Sequence, residues 1–167
     1  MTQFAEGTEV PIHKSRSEID RLLQDWGASG VQWADDWDLG RVFLRFMWME
    51  KKTGHRFHAR LVVQLETNEQ LDKKARGKRY WLPAPAGKLA KMTAARGRRE
   101  HRVLLLWLKA AFNAIELKII SAEELFLPFM EGADGRTVAE MALPGIERLL
   151  SPGGGRLMLP PAGGSDA

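Results

Sequence analysis

Cysteine is absent from this chain of 167 residues. Its absence excludes a disulfide scaffold and any thiolate metal site, and it suits a reducing compartment. Long apolar runs are lacking too. The longest is Val103 to Leu108, far too short to span a bilayer. The opening Met1-Thr2-Gln3-Phe4-Ala5-Glu6 has no basic-then-apolar signal pattern. These gaps predict a soluble protein in the cytoplasm of a bacterial cell, with no membrane partner. Catalytic signatures are also missing: there is no P-loop, no Gly-x-Ser-x-Gly and no His-Glu-x-x-His. His55 and His58 share one hairpin but have no third partner at ligand spacing. No catalytic residue, metal or cofactor is predicted.

What is present is enough apolar residue, 44% of the chain, to build one core. Residues 1–12 read as an arm, 13–150 as a single domain, and 151–167, with Pro160-Pro161 and Gly163-Gly164, as a flexible tail. Ser15 and Glu18 match a capping box opening a helix. Ile19, Leu22, Leu23 and Trp26 follow on one stripe, and Gly27 stops it. Val31 to Trp33 reads as a short strand. Two longer strands alternate strictly: Val42, Leu44, Phe46 and Trp48 share one face, and Phe57, Ala59, Leu61, Val63 and Leu65 do the same. A turn near Lys52-Thr53 places Arg45 opposite Arg60 and Met47 opposite His58. Residues 67–97 contain Gly77, Pro83, Pro85, Gly87 and Gly97 and read as a basic loop. A long helix from Arg98 to Lys118 follows, with Val103, Leu104, Trp107, Ala110, Ala111, Ala114 and Ile115 as its apolar face, widened by Leu105, Leu106, Leu108 and Phe112. Ser121 to Glu124 and Thr137 to Glu140 are two further capping boxes, each opening a helix. The predicted class is α+β: a small antiparallel sheet of two to three strands, with the N-terminal and C-terminal helices packed on one face.

Charge is distributed unevenly. Lys73, Lys74, Arg76, Lys78, Arg79, Lys88, Lys91, Arg96, Arg98, Arg99 and Arg102 face a single acid, Glu100, across one segment. That segment is net +10, which leaves −6 for the rest of a chain whose total is +4. Such a block calls for a polyanionic partner or a solvated loop. Within it, Tyr80 and Trp81 beside Lys78 and Arg79 suit base stacking with phosphate contacts; the alternative is that Trp81 plugs the edge of the core. Arg98 and Arg99 stand at a helix N-terminus, where a bound phosphate relieves their repulsion from the helix dipole. The second face of the hairpin carries Arg41, Phe43, Arg45, Met47 and Met49 opposite Arg56, His58, Arg60, Val62 and Gln64. Like charges directly opposite destabilise a sheet, so this face makes sense beneath something anionic. The alternative is a solvated face screened by Asp35, Asp36 or Glu66.

Two other chemistries fit parts of the chain. Asp38 with Glu50 and Lys52 has the Asp…Glu-x-Lys form of Mg²⁺-dependent nucleases, and a charged hairpin turn produces the same letters. Trp33 and Trp37 with Asp35, Asp36 and Asp38 would suit a protein–protein contact in an inhibitor or adaptor.

The stretch Val10-Pro11-Ile12-His13-Lys14-Ser15-Arg16-Ser17-Glu18-Ile19 to Ala28, together with Arg102 to Phe129 and Asp134-Gly135-Arg136-Thr137-Val138, resembles a group of uncharacterised phage and prophage proteins. That resemblance implies a phage setting. The element order also looks like the core of the phage single-strand annealing proteins of the Redβ, RecT and Erf superfamily. Together these readings predict a non-enzymatic phage-type protein that binds single-stranded DNA, with a role in annealing during recombination or replication, and that assembles into rings or filaments.

Overall fold

A computed structural model describes residues 8–49, 54–78 and 81–150. The order is α1 (Ile12–Trp26), β1 (Gly30–Asp36), β2 (Arg41–Met49), β3 (Arg56–Gln64), α2 (Asn68–Arg76), α3 (Ala86–Ala95), α4 (Arg98–Glu116), α5 (Ala122–Phe126), a 3₁₀ turn (Leu127–Phe129) and α6 (Val138–Leu150). The strands form one antiparallel sheet in the order β1-β2-β3. The fold is α+β, with one helix before the sheet and the rest after it. The tail 151–167 and the turn residues Glu50 to Thr53 lie outside the described residues.

The sheet follows the alternation of its sequence. Val42, Leu44, Phe46 and Trp48 are buried, as are Ala59, Leu61 and Leu65. Arg45 pairs with Arg60 and Met47 with His58, the predicted register. A slip by one residue would turn all of these apolar side chains to the other face. Gly40 ends the β1–β2 turn at φ +62°, and a Cβ there would stand 2.4 Å from the Leu65 carbonyl oxygen. Only glycine lets the chain pass so close.

α1 and α4 lie together on the apolar face and run parallel. Arg16 meets His101, Glu18 meets Arg102, and Trp26 stacks on Phe112 with ring centroids 4.7 Å apart. Phe126, brought in by the five-residue α5, is fully buried. Its ring lies within 5.4–6.2 Å of the rings of Phe46, Trp48, Trp26, Phe112 and Trp107. A short helix thus closes the core with one residue.

Three expectations are corrected. First, α1 starts at Ile12, with Pro11 as N-cap, and Ser15 is buried inside it. Proline before the first turn costs nothing there, because that N–H has no helical partner. Second, residues 67–97 are largely helical. Thr67 and Gln70 make a full capping box for α2, and Gly77 ends it; Pro85 precedes α3. The prolines and most of the glycines fall at helix boundaries, where they punctuate rather than forbid structure. Third, α4 buries His101, Leu105, Leu108, Ala111 and Phe112, whereas Val103 and Trp107 are each 37% exposed. A helix apolar on most sides does not reveal its own phase.

Candidate nucleic-acid interface

The predicted site residues separate into two regions on different sides of the sheet. Arg41, Phe43, Arg45, Arg56, His58 and Arg60 project from the face opposite α1 and α4. The N-terminus of α4, with Arg98 and Arg99, belongs to the helical layer. The hairpin face and the start of α4 are therefore not two walls of one cleft.

On the hairpin face the protein supplies its own anions. Arg45 Nε lies 3.2 Å from Glu131 Oε1. Arg60 Nε lies 3.4 Å from the same oxygen, without the alignment of a hydrogen bond, and its Nη2 donates to Glu140 at 2.5 Å. The chain reaches back to do this: Met130 bridges to Ala59 beside β3, and the Glu131 N–H donates to the His58 carbonyl at 2.8 Å. Glu140 closes a capping box with Thr137, accepting from its backbone N–H. That N–H, followed by Arg60, holds the Glu140 carboxyl below the ordinary value. The cost of opposing Arg45 and Arg60, a few tenths to about 1 kcal/mol, is thus met internally. An external anion is therefore not required to offset the repulsion between Arg45 and Arg60, and the acids that screen it are Glu131 and Glu140 rather than Asp35, Asp36 or Glu66. Arg60 also lies 5.9 Å from the Phe43 ring centroid. A shallow cavity of about 180 Å³ lies beside Arg45, Met47, His58 and Glu131. Arg41 and Arg56 are exposed and have no ion pair among the described residues.

The basic segment is partly neutralised as well. Lys73 pairs with Glu69 at 2.7 Å, Arg76 with Asp72 at 2.5 Å, Lys74 with Glu66, and Arg102 with Glu18 at 3.3 Å. Surface pairs of this kind contribute little to stability, but they do cancel charge. Lys78, Lys91, Arg98 and Arg99 have no ion pair among the described residues, and Lys88 Nζ reaches only the Lys74 carbonyl at 3.4 Å. Arg79 and Tyr80 lie outside the described residues. Trp81 is 66% exposed, so it does not plug the core.

Two of the unneutralised cations, Arg98 and Arg99, open α4, whose start lies beside that of α1. Because α1 and α4 are parallel, both positive dipole ends point the same way. Neither Pro11 nor Gly97 gives its helix a side-chain cap. Gly97 is held at φ +78°, and a Cβ there would stand 3.3 Å from His101 Nδ1. A cleft between the two helix starts is lined by His13, Arg16, Ala94 and Arg98. Around the corner, a larger cleft lies between α2, α3 and α4.

A buried network braces this end. His101 is fully buried. Arg16 Nε, which can only donate, reaches His101 Nε2 at 3.1 Å. Nε2 must then accept, so Nδ1 carries the proton and donates to the Gly97 carbonyl at 2.6 Å. His101 is neutral, and burial first and Arg16 second hold its pKa below the ordinary value, against the opposing pull of Gly97. Arg16 continues to Asp35 and stacks 4.7 Å from the Trp33 ring centroid. Sequence reasoning missed His101 as a structural residue. Its position four residues after Gly97 was the available signal.

The tryptophans and acids that suit a protein contact are drawn into the same end of the fold. Trp33 Nε1 donates to Asp20 at 2.9 Å, Asp36 accepts from the Leu39 N–H, and Asp38 accepts from Asn68. That acidic, tryptophan-bearing turn is therefore tied into the structure. Glu50 and Lys52 lie outside the described residues, and among those described no group of three His, Asp or Glu side chains is placed to hold a metal. No helix among them is long and apolar enough to cross a membrane. No family model, curated protein or solved structure matches the chain.

Proposed function

We propose that this protein binds single-stranded nucleic acid without cleaving it, in the manner of a phage-type protein that handles or anneals single strands. The observation that carries the reading is the set of cations left over after the fold's own acids are used. Lys78, Lys88, Lys91, Arg98 and Arg99 lie in the α2–α3–α4 segment, and Arg98 and Arg99 stand at the positive dipole end of α4. Trp81, 66% exposed, lies in the same segment of the chain and carries a flat apolar ring. Cations that track a backbone and aromatics on which bases stack are the physical requirements of sequence-tolerant strand binding.

A salt titration of binding tests it. Affinity for a labelled single strand should fall linearly on a log–log plot, with a slope near −0.7 for each phosphate neutralised. No binding to any nucleic acid at low salt would overturn the reading. Particle mass with and without the oligonucleotide tests the linked assembly: a ring or filament that grows or reorders on the strand supports annealing, and a monomer in both states removes it.

A further inference from the structure

The cleft between α2, α3 and the start of α4 measures about 490 Å³. Arg96 lines it and is only 6% exposed. Its Nη1 donates to the Trp37 carbonyl at 3.2 Å, and the guanidinium lies 5.7 Å from the Trp37 ring centroid. Its Nε and Nη2 are buried with no partner among the described residues. A permanently charged group with two unanswered nitrogens is an incomplete site, because buried donors are nearly always paired. Asp38, whose charge acts on Arg96, accepts from Asn68 at 3.1 Å and makes no ion pair with Arg96 among the described residues. The second feature is independent: α4, 19 residues long, begins at the cleft with Gly97 and no side-chain cap. Lys74 and Arg99 add two more cations to the lining.

We infer that this cleft binds a phosphate group, held by Arg96, Arg99, Lys74 and the free N–H groups at the start of α4. This deepens the nucleic-acid reading and rests on it only for the source of the phosphate, which is either the end of a strand or a free anion. Because Arg96 Nε and Nη2 are buried, binding requires the guanidinium to turn toward the anion, which weakens its contact with Trp37. Two carboxylates share the lining, Glu66 and Glu100. Glu66 holds Lys74, and Glu100 occupies the first turn of α4. Both oppose the incoming anion, so neutralising either one tightens the site.

The test uses the full chain and inorganic phosphate, with ionic strength held constant by chloride. Phosphate should raise the unfolding midpoint saturably and change the fluorescence contributed by Trp37, identified by difference against Trp37→Phe. Arg99→Gln and Lys74→Gln, neither of which belongs to the hydrophobic core cluster, should each weaken the response about tenfold or more, and Glu100→Gln should strengthen it. A response that is not saturable, or that survives both charge removals unchanged, overturns the site. Oligonucleotides with and without a 5′-phosphate then separate the sources. Tighter binding of the phosphorylated strand, competed by inorganic phosphate, assigns a strand end; equal binding with a saturable phosphate response assigns a free anion. Oligonucleotide binding that ignores both phosphate and Arg99→Gln overturns the cleft but leaves the strand-binding reading standing. Phosphate binding without any oligonucleotide binding does the reverse.

Discussion

The sheet's open face and the start of the parallel helix pair both carry dense positive charge, and the fold treats them differently. On the sheet, Arg45 and Arg60 stand directly opposite each other, and the chain returns much later in sequence to place Glu131 between them. At the helix starts, Arg98 and Arg99 stand where two dipoles already concentrate positive potential, and no acid pairs with either among the described residues. Net charge alone does not distinguish these surfaces. What does is the charge remaining after the protein's own acids have been counted.

The comparison breaks if the helix end is not the binding surface. The largest expected effect is therefore on binding. Replacing Lys91 and Arg98 together with alanine should reduce strand affinity about a hundredfold or more at low salt, since each charge-assisted hydrogen bond to a phosphate is worth about 1.5–3 kcal/mol. The salt slope should fall by about one and a half. Replacing Arg41 and Arg56 on the sheet should do far less, and equal effects from the two pairs would erase the distinction. Trp81→Ala comes next: removing one stacked base costs about 1–3 kcal/mol of binding. A strand affinity unchanged by this variant would remove Trp81 from the interface.

The third effect falls on stability. Glu131→Gln should cost about 1–3 kcal/mol of folding free energy, read from chemical denaturation, while strand binding stays the same. If instead binding improves strongly, the sheet face is a masked nucleic-acid surface, and the contrast must be redrawn. The smallest effect is a pH dependence at His101. Its folded pKa lies below the ordinary 6.5, so the unfolded chain takes up a proton first as pH falls. The stability that neutral His101 provides is complete above about 6.5 and declines below it. Denaturant midpoints between pH 8 and pH 5 should fall less in His101→Gln than in the natural chain; the same slope in both would sever His101 from the acid response.

Much of the sheet is legible in the sequence because strand geometry has a period of two and one buried face. Given Val42, Leu44, Phe46 and Trp48 on β2, the pairing of Arg45 with Arg60 follows from the turn alone. Segment 67–97 reads wrongly as a loop for a related reason. Its prolines and glycines are strong signals, but they mark boundaries as readily as they mark loops. The Thr67-x-x-Gln70 pattern that starts α2 is present and is outweighed by composition. α4 is legible as a helix but not in phase, since Leu104, Leu105, Leu106, Trp107 and Leu108 give no single apolar stripe.

By itself, then, the sequence determined the α+β class, the hairpin register, the cap at Gly27, three of the five helix starts after the sheet, and a surplus of positive charge in one segment. These are local properties, set by periodicity, capping and side-chain chemistry within a few residues. Only the tertiary structure decided which of those charges remain uncompensated. Glu131 reaches Arg60, Glu18 reaches Arg102, and Arg16 reaches His101 across gaps of 71, 84 and 85 positions. Electrostatic energy depends on distance in space, and distance in space across such gaps is fixed only by how the helices and the sheet pack.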